Sequence, residues 1–150
     1  MSDRFSEIRK VVEAWGKGLP SGMLTIEEQA TDFERKLEVL PSNPQSCSVR
    51  IHISRPGGMI VGIGDYLQYE DDDEDFPDDG TFIPELLDCV YNGRVHGKIW
   101  MKGQRVLRQD MEAELASKTY RRVRYLTWIP LFLIACVSEK TIQYEPYFGK

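Results

Sequence analysis

The chain has 150 residues, of which 41% are hydrophobic and 29% charged, with a net charge of −5. That length and balance suit one domain spanning 1–150 with a sizeable core, and they point to a globular rather than a disordered chain. The charge is uneven: residues 70–93 carry ten acidic and no basic side chains, whereas 94–150 carry eleven basic and five acidic ones.

Taken in chain order, the first element is a helix. Phe5, Ile8, Val12 and Trp15 recur at spacings of three and four, and Gly16, Gly18 and Pro20 stop the pattern. A second helix is expected next. Thr25 and Glu28 match a T-x-x-E capping box, Ile26, Ala30, Phe33, Leu37 and Leu40 form a stripe, and Pro41 ends it. The opening therefore predicts a helical hairpin.

The period then changes to two. Val49, Ile51 and Ile53 alternate with Arg50, His52 and Ser54, and Met59, Val61 and Ile63 return after Arg55-Pro56-Gly57-Gly58. This reads as a β-hairpin with one buried face. TFIPELLDCVYNG predicts a central helix with Thr81 as N-cap, Ile83, Leu86, Leu87 and Val90 as its buried face, and Gly93 just past its end. RVHGKIWMKG alternates as a strand, and RVLRQDMEAELASK reads as a strand followed by a short helix. TYRRVRYLTW, LFLIACVS and TIQYEPY read as further strands, with a bend at Pro130. The expected fold is α+β: an N-terminal helical hairpin and one central helix on a mostly antiparallel sheet of about five to seven strands.

Three cysteines, Cys47, Cys89 and Cys136, stand far apart, and MSDRFSEIRK lacks an apolar leader segment. Free, mostly buried thiols in a reducing cytoplasm are expected. The apolar run from Tyr125 to Val137 is interrupted by Pro130 and falls short of the roughly 20 residues a membrane span needs, so no membrane role is expected.

No sequence motif marks an enzyme. Read as an EF-hand from Asp71, the acidic run lacks the sixth-position Gly and the twelfth-position Glu, where Phe76 and Phe82 stand. Gly62-Ile63-Gly64 does not extend to a dinucleotide fingerprint, since Leu67 holds the sixth position. His52 and His96 are the only histidines, and Cys89 sits on a helix beside Asp88 and Val90 with no base adjacent in sequence. Neither a cofactor nor a metal is expected, and an enzyme of unmarked chemistry stays as an alternative.

Two features suggest partners. From Glu70 to Asp79, eight of ten residues are acidic. Such a run repels itself, so it is either a solvated spacer or a surface for something positive. Asp71, Asp72, Asp73, Glu74, Asp75, Asp78 and Asp79 would steer a basic protein, with Phe76 as an apolar anchor. That profile fits a bacterial immunity-type inhibitor that blocks a basic toxin, such as a nuclease, its carboxylates standing in for phosphates. The second feature is Arg121, Arg122 and Arg124 among Tyr120, Tyr125 and Trp128, a cation-and-ring pattern that could bind nucleic acid. A sequence pI near 5.1 disfavours that alternative.

Overall fold

The computed structural model describes residues 2–54, 58–70, 79–125 and 137–148. Helix α1 spans Ser2–Lys17. Its Phe5, Ile8 and Val12 are buried, as the three-and-four spacing predicts. After Lys17, the amides of Gly18 and Leu19 turn back onto the carbonyls of Trp15 and Gly16.

The expected second helix is instead a hairpin of strands, β1 (Leu24–Ala30) and β2 (Glu34–Pro41). Thr31 makes the turn: its Oγ1 accepts hydrogen bonds from the amides of Phe33 and Glu34 at 3.3 and 3.1 Å. Phe33, assigned to a buried helical stripe by spacing, lies at that turn and is 77% exposed. Leu37 and Val39 are buried while Lys36 and Glu38 between them are only partly so, which is strand periodicity. The capping-box pair lies on β1, where Glu28 meets Arg9 of α1 at 3.2 Å.

The second expected hairpin forms: β3 (Val49–Ser54) pairs with β4 (Met59–Ile63), Val49 opposite Ile63 and Ile51 opposite Val61. Both strands bury their apolar sets; part of the turn, 55–57, lies outside the described residues. A short strand, β5 (Leu67–Glu70), completes an antiparallel sheet of order β1-β2-β3-β4-β5. Helix α2 runs Asp79–Tyr91 and buries Phe82, Ile83, Leu86, Leu87 and Val90. It begins two residues before the expected cap, so Thr81 lies in its first turn. It ends as predicted. Gly93 has φ +68°, and the amides of Gly93 and Arg94 bond the carbonyls of Val90 and Cys89, a Schellman closure that suits glycine.

A second antiparallel sheet has the order β8-β7-β6-β9, with β6 Val95–Lys102, β7 Arg105–Glu114, β8 Thr119–Tyr125 and β9 Ser138–Gln143. The helix expected after the first part of 105–118 does not form. Leu107, Gln109, Met111 and Ala113 are buried alternately along one ten-residue strand. The described residues thus form two sheets of five and four strands rather than one of five to seven. The bend at Pro130 and the expected strand over LFLIACVS, apart from Val137 and Ser138 at its end, fall on 126–136, outside the described residues. One core cluster draws on α1, α2 and both sheets. The C-terminal segment closes over it, Tyr147 donating to the Cys47 carbonyl at 2.7 Å and Ser46 to the Pro146 carbonyl at 2.9 Å. Among the described residues no helix is long and apolar enough to cross a membrane.

Candidate functional site

The acid-rich stretch joins β5 to α2. Asp71, Asp72, Asp73, Glu74, Asp75, Phe76 and Asp78 lie outside the described residues, and Asp79 is the first residue of α2. Aromatic residues on either side are buried. Tyr69, next to last in β5, is 5% exposed, and Phe82 in the first turn of α2 is 2% exposed. Their ring centroids lie 6.4 Å apart, and Tyr120 of β8 completes a triangle at 5.5 Å from Tyr69 and 5.6 Å from Phe82. Edge-to-face rings at these distances add to their burial energy. The acidic run is therefore flanked in the chain on both sides by members of one aromatic cluster. Its end also meets the helix N-terminus, where the macrodipole favours carboxylates.

The three arginines do not form one patch, because alternation along β8 sends them to opposite faces. Arg121 faces outward and grips Asp110 with two bonds, Nε to Oδ1 at 2.8 Å and Nη2 to Oδ2 at 2.7 Å, with Glu112 at 3.7 Å. Those hydrogen bonds hold the Asp110 carboxyl below the usual carboxylate range. The resulting stabilisation is present above the ordinary carboxylate pKa and lost as pH falls through the lowered one; Arg121 is largely exposed, so it is small. Arg122 faces inward, donating to the Gln68 carbonyl, with its guanidinium 5.7 Å from the Tyr69 ring centre. Arg124 lies on the same face as Arg122, in a cleft with Arg50 and His52.

His96, Lys98 and Trp100 lie on the outer face of the second sheet, where cross-strand pairs occupy them. Lys98 meets Glu139 at 2.9 Å, and the Arg108 guanidinium stacks 4.4 Å from the Trp100 ring centre. His96 Nε2 lies 3.3 Å from Glu114 Oε1, and with Glu112 it forms a group of possible donor atoms within 4.8 Å of one another. Sequence spacing gave no sign of this group, because it joins β6 to β7 across the sheet. Glu112 already has Arg121 beside it.

Cys47 and Cys89 are buried free thiols, and Cys136 lies outside the described residues. Burial pushes the Cys47 thiol up strongly and that of Cys89 up to about 11. Both are held in the unreactive protonated form, as expected of packing residues rather than nucleophiles. Raised to about 11, the Cys89 thiol should hold on the order of a hundredfold less thiolate at neutral pH than an ordinary cysteine. Iodoacetamide should therefore label both cysteines at least about a hundredfold more slowly in the native protein than in denaturant, by peptide mass mapping. Equal rates would mean that these side chains are not packed as described. A search for similar proteins finds no matching family model, no matching curated protein and no matching solved structure.

Proposed function

We propose that this protein is a non-enzymatic, stoichiometric binding protein that meets a basic partner through the acid-rich stretch from Glu70 to Asp79. In its specific form the proposal is a cytoplasmic immunity-type inhibitor of a basic toxin. Asp71, Asp72, Asp73, Glu74, Asp75, Asp78 and Asp79 occupy the toxin's phosphate-binding cleft, and Phe76 supplies the apolar anchor. One observation carries this reading: the chain packs eight carboxylates into ten residues, and the residues flanking them on both sides, Tyr69 and Phe82, join Tyr120 in one buried aromatic cluster. The buried thiols of Cys47 and Cys89, held protonated, lend support by removing these two residues as nucleophiles. For the nucleic-acid alternative, the split of Arg121 from Arg122 and Arg124 divides the expected cluster between two faces of β8.

The test is capture at low salt from the source lysate, comparing the wild type with a variant carrying Asn or Gln at every acidic position from 70 to 79. A basic protein held only by the wild type is expected. Its association rate should fall about tenfold or more between about 50 and about 500 mM salt, because steering by exposed charge is screened. Retention of the same partner by both versions would sink the charge mechanism.

A further inference from the structure

We infer that the cleft between the two sheets binds a small molecule through a phosphate group, held between Arg50 and Arg124. The cleft has a volume of about 340 Å³. That is near the lower end for small-ligand pockets, and fits a phosphorylated molecule of few heavy atoms rather than a peptide strand.

The walls come from both sheets. Arg50 and His52 project from the outer face of β3, alternating with buried Val49, Ile51 and Ile53. Across the first sheet, Arg50 stands opposite Gly62, and Gly62 opposite Gln68. Gly62 contributes no side chain there, so the Arg50 guanidinium lies across that position: a Cβ on Gly62 would meet Arg50 Nε at 3.5 Å. Gln109 of β7 and Arg124 of β8 are direct cross-strand partners and close the other side.

Three observations point to an anion. First, Arg50 is pre-set. Its Nη2 donates to the Gly64 carbonyl at 2.8 Å, which fixes the guanidinium and leaves its other N–H groups available. Second, two guanidiniums line one cleft, yet among the described residues no carboxylate pairs with either; Asp65 lines the cleft without reaching ion-pair distance. Like charges held in a concave site attract a counter-ion. Third, Gln109 is only 9% exposed, and among the described residues its side-chain amide has no hydrogen-bond partner. The amide opens onto the cleft, where an incoming ligand can meet it. Guanidinium forks match phosphate oxygens, the Gln109 amide and His52 can donate to a third oxygen, and Tyr66 and Ile60 offer apolar wall to the rest of the molecule.

This site shares no residue with the acid-rich stretch, so it stands or falls separately from the proposed function. Inorganic phosphate is the probe, titrated by calorimetry and by thermal melting, with chloride at matched ionic strength as reference. The wild type should bind phosphate and melt higher in it. Arg124→Gln should weaken binding about tenfold or more, as expected for a lost charge-assisted contact, and it should fold normally because among the described residues the Arg124 side chain makes no hydrogen bond or ion pair. Gln109→Leu removes the unpartnered amide. It should melt no lower than wild type without phosphate, while losing most of the phosphate-induced shift. An equal response of all three proteins to phosphate, or no response beyond that to chloride, would overturn the site.

Discussion

Phe82→Ala is expected to destabilise the fold by about 3–5 kcal/mol, the usual cost of emptying a buried aromatic site. Phe82 is 2% exposed and packs edge-to-face against both Tyr69 and Tyr120. It therefore joins three elements that are distant in sequence: α2, β5 and β8. Removing the ring loses its own burial, both aromatic contacts and part of the packing of its neighbours. Urea unfolding followed by circular dichroism would show the midpoint fall with little change in slope. Phe33→Ala is the matched control: at 77% exposure on the β1–β2 turn, it should change stability by no more than about 0.5 kcal/mol. A loss below about 1 kcal/mol for Phe82→Ala would show that the aromatic triangle is not packed, and the anchoring of the acid-rich stretch would fall with it.

Gly97→Ala should cost about 3 kcal/mol, although alanine in place of glycine normally favours regular structure by roughly 0.5–1 kcal/mol. Gly97 lies in β6, an interior strand of the second sheet, opposite Met111 of β7. A Cβ there would lie 2.2 Å from the Asp110 carbonyl oxygen and 2.8 Å from the Met111 Cα. Both are backbone atoms of the adjacent strand, so a rotamer change cannot relieve the contact and the strands must separate. Gly62→Ala is the comparison, since its nearest contact would be an ordinary 3.5 Å to the Arg50 side chain; it should stay within about 1 kcal/mol. Equal unfolding midpoints for the two variants would contradict the close approach of β6 and β7.

Where the sequence misled, the reason is geometric. Residues four apart share a face in a helix and also in a strand. Leu107, Met111 and Leu115 therefore fit both, and only the intervening Gln109 and Ala113, also buried, distinguish them. Between Ile26 and Leu40 the same ambiguity was compounded by a chance capping box. What decides the matter is that β2 finds two partners, β1 on one side and β3 on the other. Elements whose signals are local came through: the apolar face of α1, the β3–β4 alternation, the buried stripe of α2 and its glycine stop.

The site followed the same rule. The concentration of acid between Glu70 and Asp79 is a property of composition and needs no fold to be seen. So is the burial expected of isolated cysteines, which holds for Cys47 and Cys89. By contrast, Arg121, Arg122 and Arg124 look like one cluster in sequence, and the pleat of β8 divides them. The cleft of Arg50, His52, Gln68, Gln109 and Arg124 has no linear signature at all. The sequence by itself determined where the charge is concentrated and which short segments have an apolar face. Only the tertiary structure decided which strands pair and which polar groups converge, because those outcomes rest on contacts between residues many tens of positions apart that no local period encodes.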